Sequence, residues 1–251
     1  MSSGSEQSPD LSAAGALDPG ADRIWSAERR SVIGDAIGVG VATAAYGVPF
    51  GAIAVAGGLN LWQTMALSLL MFTGGSQFAL VGVLAGGGSP FAGAATAVML
   101  GARNMLYGLR LAPMLRVRGL GRWTSAHLVI DESAAMAFGR RTERASRLAF
   151  YSTGLSIFVL WNLGTLVGAV GADALSDPKV LGLDVAAPAA FIALLAPQVR
   201  GRAPWAIAGL AALVAVAAIP FVPAGVPVLL AAAVAVVAAL LPAHLLDGRD
   251  R

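Results

Sequence analysis

Residues Met71 to Pro113 read MFTGGSQFALVGVLAGGGSPFAGAATAVMLGARNMLYGLRLAP. The stretch is apolar enough to lie in a bilayer, yet Gly74-Gly75 and Gly86-Gly87-Gly88 interrupt it, and Gln77, Arg103 and Asn104 sit where membrane depth is expected. A guanidinium at the centre of a span costs about 3 kcal/mol on insertion scales, and irregular backbone is tolerated there only when buried in protein or lining a wet cavity. A chain with this stretch must therefore build an interior that faces those groups.

The rest of the sequence supplies the bilayer context. It is 57% hydrophobic and 12% charged, against roughly 25% charged in an ordinary soluble domain. Apolar runs at Val32 to Ala56, Leu59 to Ala85, Leu148 to Ala172, Trp205 to Val222 and Val226 to Pro242 each reach or approach the roughly 20 residues that cross a hydrocarbon core. The expected class is an all-α polytopic integral membrane protein. Cysteine is absent, which removes disulfides and thiolate metal sites, and neither a cofactor nor a metal is expected. The net charge is only +3, with its cations scattered between apolar runs, so nucleic acid is not an expected partner.

Residues 1–22, rich in Ser, Gly, Ala, Pro and acids without an apolar h-region, read as a disordered tail rather than a signal peptide. Residues 23–244 read as one transmembrane domain and 245–251 as a polar tail. In the first span, Gly34-xxx-Gly38 and Gly47-xxx-Gly51 fit the small-residue spacing that lets helices approach closely in lipid. Pro49 between Gly47 and Gly51 removes a helical hydrogen bond, which makes these three a candidate hinge. In Leu59 to Ala85, a break at Gly74-Gly75 leaves halves of about 13 residues, about 20 Å each, too short to span alone. Two adjacent acids, Asp131 and Glu132, make a full crossing by Ser125 to Gly139 improbable as well; there His127 and Asp131, four apart, are expected on one helical face.

Cytoplasmic loops carry the excess of Lys and Arg. If Leu59 to Ala85 and Ser125 to Gly139 each enter and leave on one side, 14 of the 17 cations lie inside: three before the first span, three in the Met114 loop, four after Gly139, Arg200 and Arg202, and two in the tail. If both cross, Arg116, Arg118 and Arg122 move outside and the inside count falls to 11. The expectation is six full spans plus two re-entrant or discontinuous segments, with eight spans as the alternative. Both put the two termini in the cytoplasm and the chain in the cell membrane.

Discontinuous helices at mid-membrane characterise secondary transporters, where half-helix N-termini meet anionic substrate groups. Gly74, Gly75, Ser76 and Gln77 supply breakers, a cap and a two-way hydrogen-bonding side chain; with Arg103 and Asn104 they form the candidate substrate site. The alternative for Gln77 is a bond to neighbouring backbone. Arg103 either holds a carboxylate or pairs with Asp131 or Glu132. Those two acids are also proton-carrier candidates, because desolvation favours the neutral carboxyl. For Glu132 the plainer alternative is contact with the Arg140 cluster, and for His127 an interfacial position. No second catalytic aspartate motif and no Gly-x-Ser-x-Gly elbow accompanies Asp131 and His127, so no enzyme is expected.

The ordered set Tyr46-Gly-Val-Pro-Phe-Gly51, Gly74-Gly-Ser-Gln-Phe78, Arg103-Asn-Met-Leu-Tyr-Gly-Leu-Arg-Leu-Ala-Pro113 and Ile130-Asp-Glu132 resembles the AzlC family, the large subunit of two-component branched-chain amino acid exporters. The resemblance covers roughly residues 32 to 140. It implies export of branched-chain and similar hydrophobic amino acids, driven by the proton gradient, together with a separately encoded small AzlD-type membrane subunit. One motif departs: where the family tends to read Asn-x-Arg-His, this chain has Gly101-Ala-Arg103-Asn104. A passive channel is the competing class, and uphill efflux abolished by an uncoupler separates the two.

Overall fold

The computed structural model of the chain describes residues 19–173, 192, 199, 201–223 and 226–240. Regular structure among them is entirely helical: α1 Pro19–Ala56, α2 Leu61–Leu70, α3 Gly75–Ala85, α4 Pro90–Leu115, α5 Leu120–His127, α6 Asp131–Phe138, α7 Glu143–Asp173, α8 Arg202–Ala218 and α9 Val226–Leu240. Ile24–Ala56 and Glu143–Ala172, 33 and 30 residues, are long and apolar enough to cross a bilayer. α4 has 26 residues, about 39 Å at the helical rise, but carries Arg103 and Arg110. α1 begins at Pro19, ahead of the Arg23 boundary read from composition. The run Val185 to Val199, Ile192 and Val199 apart, the connection holding Asp177, Lys179 and Asp184, and the tail Leu245 to Arg251 lie outside the described residues.

α1 and α7 form the backbone of the bundle. Gly40 faces Ser156 and Leu160, Gly47 faces Trp161, and Gly51 faces Thr165; Gly164 and Gly168 reciprocate toward Ala44 and Val48. Numbers rise together along both helices, so the two run parallel. A methyl group on Gly47 would stand 2.8 Å from the Trp161 carbonyl oxygen, and one on Gly164 would stand 2.6 Å from that of Ala44. Only glycine permits this backbone approach, which is how helices associate when lipid offers no hydrophobic drive. α1 stays helical through Pro49, and Gly47 and Gly51 serve the α7 contact. Gly34 and Gly38 have open space around them, because they lie on a different face of the helix from Gly40, Gly47 and Gly51. We expect Gly168→Val to push the helices apart and destabilise the fold by about 1–3 kcal/mol, the usual cost of overpacking. An unchanged melting temperature of the detergent-purified protein would contradict that contact.

Between these helices the chain doubles back twice. α2 leaves the C-terminal end of α1 through Gly57 and Gly58 and runs down α7, where the Ser68 hydroxyl donates to Thr165 Oγ1 at 3.3 Å. The helix stops at Met71, and Phe72 and Thr73 are irregular. Gly74 takes φ +42°, a region that side chains disfavour, and α3 then climbs back. Phe78 stacks edge-on against Phe50 at 5.3 Å, and Ala85 returns beside Gly57, where an added methyl would meet its Cβ at 3.3 Å. α2 and α3 thus form a hairpin that begins and ends at the far end of α1.

α4 descends antiparallel to α3, with Gly93 against Leu80 and Gly101 against Ser76. At the opposite, Arg-rich end the second hairpin begins. α5 rises to Leu128, whose side chain lies against Gly154 of α7, and α6 returns toward Arg140. Ion pairs close this end: Arg140 to Asp35 at 2.8 Å and Arg116 to Glu143 at 3.2 Å. The Arg144 guanidinium lies 3.9 Å from the centroid of the Trp25 ring.

The second break corrects one expectation. His127 and Asp131 do not share a helical face, because Leu128 to Ile130 separates α5 from α6. Ile130 is extended, at φ −132° and ψ 171°. Its amide donates to Ser133 Oγ at 3.1 Å, and the Ser133 hydroxyl donates to the Leu128 carbonyl at 2.6 Å. Ser133, the third residue of α6, therefore caps the break, and Asp131 and Glu132 precede it in the first turn, where the helix dipole favours acids.

Candidate functional site

The two hairpin tips meet at the middle of α1 and α7. Phe72 of the first lies 5.8 Å from the His127 ring of the second, and both rings pack on Phe158 of α7, at 5.1 and 5.6 Å. His127 is accordingly at a tip contact inside the bundle, not at an interface. Beside this contact is a cavity of about 60 Å³ bordered by Thr73, Gly74 and Gly75 of the first hairpin, Ile130, Asp131 and Glu132 of the second, Arg103 and Asn104 of α4, and Trp161 of α7. Each hairpin thus brings its irregular turn and the first residues of its returning helix to one space.

Of the residues singled out in the sequence, Gly74, Gly75, Arg103, Asn104, Asp131 and Glu132 border the cavity. The Arg103 guanidinium makes an ion pair with Asp131 at 2.8 Å, and its Nη2 lies 3.5 Å from where a Cβ on Gly75 would be. The guanidinium therefore lies beside the N-terminus of α3, within ordinary van der Waals reach of Gly75. Tyr107, one turn along α4, is close enough to interact with Asp131. Glu132 borders the cavity rather than meeting the Arg140 cluster, and Arg140 is held by Asp35.

Ser76 and Gln77 are not on the cavity wall. Gln77 is fully buried, and its amide nitrogen donates to the Leu67 carbonyl at 3.2 Å, tying α3 to α2. That carbonyl lies in the last turn of α2, so Gln77 braces the hairpin just behind its tip. We expect Gln77→Leu to lower stability by about 1 kcal/mol, typical of an interhelical bond in a membrane protein, and an unshifted melting temperature would refute the brace.

The sequence assigns no site role to the rest of the wall. Phe72, Phe78, Ile130, Ile157 and Trp161 make one side apolar, with Trp161 stacked on Phe50 at 5.7 Å. Thr43 and Tyr46 of α1 complete it. Around the cavity several buried polar atoms lack a protein partner: the Thr73 hydroxyl, Trp161 Nε1, Asn104 Oδ1 and Asp131 Oδ1. Buried polar atoms are normally hydrogen-bonded, so these four have unmet bonding capacity next to the cavity. The site has a cation, an anion and an apolar wall within one space. Those three features suit a zwitterion with an apolar side chain.

A family model described as AzlC protein matches residues 38–175. No curated protein and no solved structure matched the chain. The matched stretch runs from the middle of α1 past the end of α7 and so contains both hairpins, the cavity and the α1–α7 contact. By that match the chain belongs to the AzlC family, a family of membrane transporters associated with branched-chain amino acids.

Proposed function

We propose that the protein is the large subunit of a two-component secondary exporter of branched-chain and similar hydrophobic amino acids. The observation that carries this reading is the meeting of two hairpins, entered from opposite ends of the bundle, at a cavity holding the Arg103–Asp131 pair and an aromatic wall. Broken helices meeting at mid-depth are how secondary transporters hold a substrate. Arg103 and the N-terminus of α3 receive the carboxylate, Asp131 and Asn104 Oδ1 the ammonium, and Phe72, Phe78, Ile157 and Trp161 the side chain. At about 60 Å³ the cavity has room for a few water molecules; it widens to admit substrate, which suits a carrier better than a standing pore.

The Arg-rich end is cytoplasmic by the positive-inside rule, which puts the first hairpin at the outer face and the second at the inner, with six spans in all. Glu132, in the cavity wall beside Asp131, takes the proton that couples export to the gradient. The partner is a small AzlD-type membrane subunit. Reconstituted with that subunit, the protein is expected to move valine and leucine uphill, with efflux collapsing on addition of an uncoupler; efflux insensitive to the uncoupler would refute the carrier reading. Arg118→Cys in this cysteine-free chain is expected to react with an impermeant thiol reagent only from the inner face, and labelling from outside intact cells would overturn the orientation.

A further inference from the structure

A second space adjoins the first. Between the lower half of α4 and α5 runs a groove of about 620 Å³, bordered by Asn104, Met105, Gly108, Leu109, Ala112 and Leu115 of α4 and closed on the other side by Arg122, Ser125, Ala126 and Val129. Asn104 borders both spaces. From Asn104 to Leu115 the helix rises about 16 Å, half of a hydrocarbon core of about 30 Å. The groove therefore runs from mid-depth to the Arg-rich end and stops there.

We infer that this groove is the inner vestibule of the transporter, a low-affinity site where a hydrophobic amino acid waits before passing Asn104 into the central cavity. The inference rests on the transport reading given above. Volume separates the two spaces: about 620 Å³ lies in the range of small-molecule sites, roughly 300–1,000 Å³, whereas the central cavity holds about 60 Å³. Chemistry matches the same cargo. Leu109, Leu111, Leu115 and Val129 offer an apolar channel to a branched side chain. Arg122 stands at the inner mouth without an ion-pair partner among the described residues, so its charge is available to a carboxylate. At the deep end the Asn104 side-chain oxygen has no hydrogen-bond partner, and the ammonium of an amino acid that has left Arg122 and moved inward donates to it, since the carboxylate and ammonium of one amino acid are too close together to reach both ends of the groove at once. An acyl chain filling the groove would leave that oxygen unsatisfied in hydrocarbon, which is costly. Arg103, the next residue, then receives the carboxylate one step further along.

Gly108 is the point to test, since a side chain there has no atom within 4 Å to displace. In inside-out vesicles containing the chain with its small subunit, Gly108→Cys is expected to react with a charged thiol reagent. Saturating leucine is expected to slow that reaction at least threefold, and glutamate is not. Gly108→Trp, which fills the groove, is expected to cut leucine efflux at least tenfold, while Phe91→Trp on the exposed outer turn of α4 leaves it unchanged. A cysteine that the aqueous reagent does not reach would mean that lipid or the partner subunit occupies the groove, and labelling indifferent to leucine would mean that no amino acid does; either result overturns the inference. Leucine efflux by the unsubstituted complex is measured in the same vesicles: if it is absent, the transport reading itself fails, and if it is present without protection, only the vestibule does.

Discussion

Replacing Arg103 by alanine is expected to lower amino acid efflux roughly tenfold to a hundredfold while leaving the protein in the membrane at normal abundance. Arg103 is paired with Asp131 at 2.8 Å and lies beside the glycine that opens α3, so its loss removes the one cation that the described residues bring to the cavity wall. A hydrogen bond to a charged group contributes about 1.5–3 kcal/mol, which sets the size of the effect. The pair borders the cavity rather than a packed interior, and water entering that space can solvate Asp131 when Arg103 is replaced, so the loss is expected in transport more than in abundance. Arg103→Lys keeps the charge but loses the planar fork that grips a carboxylate from two nitrogens, and an intermediate rate is expected. Asp131→Asn should impair transport by weakening the ammonium contact and freeing Arg103 to hold substrate too tightly, which lowers the maximal rate more than the apparent affinity. Unaltered efflux in Arg103→Ala, with abundance verified, would remove the ion pair from the mechanism and leave it a structural tie between α4 and the second hairpin.

Much of this site could be read in the sequence because breaking a membrane helix leaves marks. Gly74-Gly75 marked the first break, and the positive φ of Gly74 is the physical reason a glycine stands there. Arg103 stood out by its desolvation cost, and the same cost led to an acid as its partner; geometry chose Asp131. The second break left no such mark. It uses no glycine or proline, only the extended Ile130 and a serine that bonds back to it, and three residues of that kind read as ordinary apolar helix. α5 also begins at Leu120, within what composition makes a basic loop. Trp161, Phe72 and Ile157 were hidden for a different reason: an aromatic or branched residue in an apolar run has the same signature whether it faces lipid, a neighbour or a cavity. Gln77 shows the reverse. Its polarity announced a burial requirement, which a single backbone carbonyl meets in part, and the residue braces the hairpin without reaching the cavity wall.

The largest conformational effect is expected from tying the two hairpin tips together. If substrate passes by alternating access, the outer and inner hairpins must part from the centre in turn, and the contact they share in this structure is Phe72 on His127 at 5.8 Å. The chain contains no cysteine, so Phe72→Cys combined with His127→Cys gives a thiol pair with nothing to compete. A short thiol cross-linker is expected to abolish efflux in the double variant, and a cleavable linker to restore it on reduction. Each single variant treated in the same way should retain its own activity, which separates locking from chemical damage. In this structure, with the tips in contact, Arg140 also holds Asp35 and thereby ties the end of the returning arm of the inner hairpin to α1. Asp35→Asn is therefore expected to favour the opening of that hairpin and to speed reagent access to Gly108→Cys. Full efflux from a completely cross-linked pair would show that the tips need not separate, and transport would then have to proceed around them, between α4 and the hairpins, with the hairpins as fixed walls.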